Sequence, residues 1–110
     1  KYAGAFPTWL APVQVKLLPI TDGQKEYARA FAQVLQANGI RFEVDDRNEK
    51  IGYKIREAQL EKVPYMLIIG EKEKESGTVS VRSRKDGDLG QVTKAEFIEK
   101  ILKEIKDKVR

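Results

Sequence analysis

The chain contains no cysteine and no histidine among its 110 residues. Disulfide bonds are therefore impossible, and the usual zinc ligands, the thiol and imidazole nucleophiles and the commonest general base are all absent. No apolar run approaches the roughly 20 residues that a membrane-spanning helix needs. The glycines are scattered and form no phosphate-binding loop. These absences argue against a catalytic site that lies wholly within the chain.

The chain also has only a small excess of positive charge. It contains 21 Lys and Arg residues and 17 Asp and Glu residues, for a net charge of +4. A surplus of this size permits a polyanionic partner such as RNA but does not identify one. Residues 41–62 carry six charges of each sign and residues 71–90 carry five of each sign. The surplus therefore lies toward the two ends of the chain.

Hydrophobic periodicity predicts the element order β-α-β-α-β-β-α, which is typical of an α/β sandwich with a mixed sheet. Turns are predicted at 71–77 and 85–90, and residues 1–11 are expected to form a short leader that lies against a domain at 12–110. The predicted strands cover 12–20, 40–44, 63–69 and 78–84, with a short edge strand at 91–92, and the predicted helices cover 21–38, 49–62 and the residues after Thr93. Gly52 falls inside the second predicted helix, where glycine costs about 1 kcal/mol relative to alanine, so its presence needs a separate reason.

Four polar side chains have the chemistry that reads the edges of unpaired bases: an amide, two guanidinium groups and a carboxylate. They are Asn48, Arg56, Glu73 and Arg82. Each also has an ordinary explanation, respectively a helix cap, a solvated helix residue, a charged turn and a strand-surface charge. The adjacent carboxylates at 45–46 also have two interpretations: they form a catalytic pair, or they belong to an ordinary loop between a strand and a helix. Spacing alone leaves these alternatives open.

Several stretches of sequence help to choose between base reading and these ordinary explanations. They are FPTWLAPVQVKLLPI (6–20), ITDGQKEYA (20–28), NGIRFEVDDRNEKIGYKIREAQLEKVPYMLIIGEKE (38–73) and GTVSVRSRKDGDLG (77–90). In this order they resemble the C-terminal anticodon-binding domain of threonyl-tRNA synthetases, over nearly the whole chain. Loose α/β patterning fits many class IIa synthetases, whereas WLAPVQV (9–15) together with the string at 45–70 is more specific to the threonine enzymes.

The resemblance implies a three-layer α/β sandwich with a five-stranded mixed sheet and three helices. It also implies that the domain binds the anticodon stem-loop of threonine tRNA and reads guanine and uracil at the second and third anticodon positions. The Asn of the RNEKIG motif is Asn48, the Arg of the KIRE motif is Arg56, the Glu after Gly-x-Lys is Glu73, and the first Arg after VSV is Arg82. All four motif residues are present.

Lys54 and Arg84 are predicted as phosphate contacts from their charge and placement. No cofactor is expected in the chain itself, and no DNA or membrane partner. Residues 1–11 resemble the junction that leaves a catalytic domain, and the chain starts with Lys1 rather than Met, so we expect a fragment. ATP, magnesium and zinc would then serve the catalytic domain of the parent protein, which we expect to be a cytoplasmic homodimer. The oligomeric state of the fragment itself stays open.

Two other readings remain. A synthetase-like protein-interaction or regulatory module would keep this fold and lose base reading, although the intact set of four residues argues against it. A small flavodoxin-like enzyme would need catalytic groups and a phosphate loop that the sequence does not show.

Overall fold

The computed structural model describes residues 6–108, and five strands in this range form one sheet in the order β2-β1-β3-β4-β5. The strands are β1 (Val15–Pro19), β2 (Phe42–Val44), β3 (Tyr65–Ile69), β4 (Thr78–Ser83) and β5 (Gly87–Thr93). The helices are α1 (Lys25–Ala37), α2 (Ile51–Leu60), α3 (Glu71–Ser76) and α4 (Lys94–Asp107), with short 3-10 helices at Thr8–Leu10 and Asp22–Gln24. Strand β1 pairs in parallel with β2 and β3, whereas β4 pairs antiparallel with β3 and β5. The mixed five-stranded sheet is therefore confirmed.

The helices lie on both faces of the sheet, because alternate residues of each central strand point to opposite sides. On one face, α1 and α4 pack their apolar side chains into a continuous core with the inward residues of β1, β3 and β4. Phe31 of α1 and Phe97 of α4 meet in this core with ring centroids 6.5 Å apart. On the other face, Ala58 of α2 packs with Leu18 of β1 and Met66 of β3. This arrangement confirms the three layers.

The face that carries α2 is only partly covered. The helix packs over β1 and β3, which are the second and third strands in the sheet order. On β4 the residues of this face, Ser80 and Arg82, are half-buried, and Gln91 of β5 is exposed. The outer half of the sheet therefore offers polar side chains to solvent on one side and a hydrophobic core on the other.

Two parts of the secondary structure differ from the sequence-based prediction. Residues 71–76 form helix α3 instead of a turn, which adds a fourth, short helix to the three that were predicted. This helix begins where Glu73 accepts a hydrogen bond from the backbone of Gly70 and ends at Gly77, which has a left-handed backbone conformation. Strand β5 is longer than the predicted 91–92 and pairs with β4 across a bulge at Val81 and Arg82. Residues 1–5 of the expected leader lie outside the described part of the chain.

Candidate nucleic-acid interface

The guanidinium group of Arg82 lies at the edge of a cleft on the face of the sheet that carries α2. Arg82 lies opposite Met66 in the pairing of β3 with β4, on the face of the sheet that carries α2. Within residues 6–108 its side chain makes no hydrogen bond and no ion pair, although the residue is half-buried. It borders a cleft of about 260 Å³ that is also lined by Gln59, Met66 and Asp88. A charged fork held beside such a cleft can donate two parallel hydrogen bonds to a base edge.

The carboxylate of Glu73 is held in place by two hydrogen bonds. Its Oε1 accepts from the backbone nitrogen of Gly70 at 2.7 Å, and its Oε2 accepts from the amide of Gln91 at 2.8 Å. Glu73 is buried, with 8% of its surface exposed. Because each carboxylate oxygen can accept a second hydrogen bond, the group keeps capacity for a further donor. The structure thus fixes the orientation of Glu73 and limits the directions from which a partner can reach it.

Strand register brings Glu73 and Arg82 to one face of the sheet. Gln91, which holds Glu73, lies opposite Ser80 in the pairing of β4 with β5. Ser80 precedes Arg82 by two residues on the same strand, so the two side chains lie on the same face about 7 Å apart. The Glu73 carboxylate, which Gln91 holds, and the Arg82 guanidinium therefore lie toward the same face, where an acceptor and a donor fork can contact one base.

Arg56 is exposed on α2 and makes no hydrogen bond or ion pair with any described residue. Gln59 follows it by three residues and lines the cleft beside Arg82. Neighbours at this spacing share one flank of a helix, so Arg56 lies on the flank of α2 that borders the open half of the sheet.

Asn48 lies in the loop before α2, at the other end of the helix from the cleft. It is exposed, and its side chain has no hydrogen-bond partner among residues 6–108. Lys50, rather than Asn48, occupies the N-cap position of α2. The capping role that is the ordinary explanation of Asn48 is therefore not seen.

Lys54 is placed differently from what its charge predicts. It is 1% exposed, and its Nζ donates to the carbonyl oxygens of Pro19 and Asp45, each at 3.0 Å. Burial lowers the pKa of the Lys54 ammonium, and the Asp45 carboxylate opposes that shift. Because the ammonium is buried and two of its three N–H groups are bonded to the backbone, we leave Lys54 out of the contact surface. Its position instead ties the end of β1 to the loop that carries Asn48.

Arg84 is also engaged within the chain. Its guanidinium donates to the carbonyl oxygens of Lys62 at 2.7 Å and of Phe6 at 2.8 Å. Two donors in a rigid fork suit two carbonyl oxygens from different segments. Arg84 therefore ties residues near the start of the described chain to the end of α2, and a phosphate would have to compete with those bonds.

The adjacent carboxylates at 45–46 belong to a structural loop. Asp45 is buried and forms two hydrogen bonds of 2.8 Å with Arg47, one to each carboxylate oxygen. Arg47 also contacts Glu57 of α2, and Asp46 pairs with Arg29 of α1 at 2.9 Å. The hydrogen bonds from Arg47 hold the pKa of Asp45 below its usual range. Both carboxylates are thus paired with arginines, as the loop interpretation predicts and a catalytic pair would not require.

Gln59 and Gln91 lie at the candidate site but were not predicted from the sequence. Gln59 follows Arg56 by three residues, a spacing that places both on one helix flank. Gln91 falls on the same face as Ser80 once the register of β5 is known. The first signal was readable from the sequence, whereas the second depends on the bulge.

Residues 6–108 contain neither a membrane-spanning helix nor a metal-binding cluster of side chains. No helix in this range is long and apolar enough to cross a bilayer. The same residues contain no group of three or more acidic side chains arranged to hold a metal ion.

Comparison with known proteins agrees with this picture. The family described as "Anticodon binding domain" matches residues 14–104. The threonine–tRNA ligase of Clostridium botulinum strain Hall is 68% identical over 108 residues, which are 98% of this chain and 17% of the ligase. That of Caldanaerobacter subterraneus subsp. tengcongensis is 67% identical over 107 residues, 97% of this chain and 17% of the ligase. The chain thus spans about a sixth of the length of these relatives.

A solved structure shares the fold. The crystal structure of the RNA binding domain of threonyl-tRNA synthetase from Cryptosporidium parvum Iowa II superposes with a TM-score of 0.86 at 33% identity, covering 91% of this chain and 25% of that one. The family match, the near-complete coverage by threonine–tRNA ligases and this structural likeness lead to one conclusion: the chain belongs to the anticodon binding domain family.

Proposed function

We propose that this chain is the anticodon recognition module of a threonyl-tRNA synthetase. It reads the second and third anticodon bases of threonine tRNA, so that the longer protein attaches threonine to that tRNA in an ATP-dependent reaction in the cytoplasm. The observation that carries the proposal is the placement of Arg82, whose guanidinium has no partner among the described residues and borders a cleft on the partly covered face of the sheet. The 68% identity to a threonine–tRNA ligase supports the choice of tRNA.

The four proposed reading groups divide into two pairs. Glu73 and Arg82 lie on one face of the sheet and offer an acceptor and a two-donor fork, a combination that matches guanine. Arg56 and Asn48 are exposed and unpartnered among the described residues, on α2 and on the loop that precedes it. Asn48 lies in the loop before α2 and Arg56 lies in the middle of that helix, so the two suit neighbouring nucleotides that are splayed apart.

Chemistry on threonine and ATP would belong to the rest of the longer protein. The chain has no histidine or cysteine to supply the usual zinc ligands or nucleophiles. We propose that ATP, magnesium and zinc serve the catalytic domain, that the parent is a homodimer, and that this domain contributes only tRNA binding. Binding of the acceptor end elsewhere on the same protein would raise the effective concentration of the anticodon loop at this domain.

Titration with synthetic anticodon stem-loops tests the proposal. The wild-type chain should prefer the loop with guanine and uracil at the second and third anticodon positions over loops in which either base is changed. Arg82→Ala should weaken binding by roughly 1–3 kcal/mol and relax the base preference at fixed salt. Lys106→Ala is the charge-matched control, because Lys106 is exposed on α4 on the opposite face of the sheet.

Equal binding of cognate and scrambled loops would contradict the proposal and favour a protein-interaction module of the same fold. If Arg82→Ala leaves the base preference intact, the proposed function stands, but Arg82 is not one of the residues that read the bases.

A further inference from the structure

Gly52 occupies a helical position where nothing within the described chain requires glycine. It is the second residue of α2, and its φ is not positive. A Cβ added to it would meet no atom within 4 Å. Glycine in a helix is unfavourable relative to alanine, because the unfolded chain loses more freedom and the backbone is left bare. The domain therefore retains a residue that weakens α2 without an internal reason.

Most other described glycines do have such a reason. A positive φ is found at Gly39, Gly77, Gly87 and Gly90. At Gly70 a Cβ would lie 2.9 Å from Cδ1 of Ile20. Gly23 shares the lack of a requirement with Gly52, but it lies in a short 3-10 helix and not inside an α-helix.

The position of Gly52 on the helix gives it an external reason. Gly52 and Gln59 are seven residues apart and lie about 20° from each other around the helix axis, with Arg56 on the same flank. Gln59 lines the cleft beside Arg82, so this flank of α2 borders the open half of the sheet. The bare backbone at Gly52 thus lies in line with Arg56 and Gln59, on the surface where we propose that RNA binds.

We infer that a nucleotide of the bound RNA loop packs directly against the backbone of α2 at Gly52, in the space that a side chain would fill. The inference rests on the proposed function and adds a steric requirement to it. Arg56 supplies charge and hydrogen bonds on this flank, and Gly52 lets the RNA approach closely enough to use them. The requirement makes stability and binding respond in opposite directions to one added methyl group.

The test compares Gly52→Ala and Gly52→Gln with the wild-type chain, using a synthetic anticodon stem-loop with guanine and uracil at the second and third anticodon positions. Without RNA, Gly52→Ala should raise the midpoint of thermal unfolding by about 2–5 °C. With RNA at fixed salt, it should weaken binding about five- to hundred-fold, the range that overpacking produces, and Gly52→Gln should weaken it further. Ala30→Gln is the control, because it enlarges an exposed side chain on α1, across the sheet.

The outcomes separate the two proposals. If the wild-type chain does not bind the stem-loop, the proposed function is wrong and the inference falls with it. If the wild-type chain binds with base preference and Gly52→Ala binds equally well, only the inference is wrong. Weaker binding by Gly52→Ala and Ala30→Gln alike would also overturn it, because the effect would not depend on the flank of α2.

Discussion

The side-chain amide of Gln91 donates a hydrogen bond of 2.8 Å to Oε2 of Glu73. Oε1 of the same carboxylate accepts from the backbone nitrogen of Gly70, at the start of α3. One buried side chain therefore joins the beginning of a six-residue helix to the edge strand of the sheet. Glu73 has a structural function in the free domain, whatever it contributes to RNA binding.

This function predicts a loss of stability in Glu73→Ala. The free energy of unfolding should fall by about 1–3 kcal/mol, because the Gly70 nitrogen and the Gln91 amide lose an acceptor. Urea denaturation measures the change, and Glu75→Ala is the matched control on the same helix, where an exposed glutamate should matter by less than about 0.5 kcal/mol. Equal effects of the two substitutions would show that the Glu73 carboxylate does not stabilise α3.

Lys54→Met should act on stability and not on the electrostatics of RNA binding. Removing the ammonium leaves the carbonyl oxygens of Pro19 and Asp45 without their donor, at an expected cost of about 1–3 kcal/mol in the free energy of unfolding. Lys50→Met, at an exposed position, should have little effect on unfolding.

The salt dependence of RNA binding decides between the two roles of Lys54. If the ammonium contacted phosphate, its loss would reduce the slope of log K against log salt by about 0.7–0.9. We expect the slope of Lys54→Met to equal that of the wild-type chain, measured between low and moderate salt. A reduced slope would restore Lys54 to the phosphate-contact set.

Substitution of Arg82 and substitution of Arg84 should have different effects, although Arg82 lies on β4 and Arg84 directly after it. Arg84→Ala removes the fork that holds the carbonyl oxygens of Phe6 and Lys62, so amide hydrogen exchange should accelerate at the start of the described chain. Arg82→Ala should leave that exchange unchanged and alter RNA binding instead. Hydrogen exchange that responds equally to both substitutions would contradict this division.

The pairing of Asp45 with Arg47 predicts a specific pH dependence. Arg47 lowers the pKa of Asp45 in the folded chain below its ordinary value of 3.8. The ionised pair therefore stabilises the fold above about pH 4, and this contribution is lost as the pH falls through the lowered pKa. Asp45→Asn should make the free energy of unfolding less sensitive to pH across that acid range.

Denaturation curves at several pH values between 7 and about 2 provide the measurement. Asp107→Asn, at an exposed position on α4, is the control and should follow the wild-type pH dependence. An Asp45→Asn variant that loses stability with acid as steeply as the wild-type chain would rule out the pair as the source.

The main elements of this fold were predictable because their residues follow clear periods. Val13, Val15 and Leu17 alternate, and Phe31 and Leu35 repeat at helical spacing, so β1 and α1 lie close to where the pattern places them. Helix α3 was not predictable in this way. Its six residues carry charges of alternating sign without an apolar stripe, and it depends on the capping contact of Glu73 and on the chain reversal at Gly77.

The site was less predictable than the fold, because a formal charge does not say where a side chain finds its partners. Lys54 lies beside Ile51, Ile55 and Ala58 on the buried stripe of α2, and that spacing is a sequence signal of burial. Arg84 is engaged, unlike Arg82, because its guanidinium meets carbonyl oxygens from segments that are distant along the chain. The resemblance named Asn48 and Arg56, and the structure leaves both exposed, but their contacts with bases stay a prediction.

Side chains along β4 point alternately into the hydrophobic core and toward the opposite face of the sheet, so the two groups of residues have different environments. Val79 and Val81 are buried in the core, whereas Ser80 and Arg82 lie half-buried on the other side of the same strand, the face that carries α2. A library that varies only positions 80 and 82 would leave Val79 and Val81, the core residues between and beside them, unchanged in every member. The strand is thus a place where the proposed base preference of this domain can be varied while the two core valines stay in place.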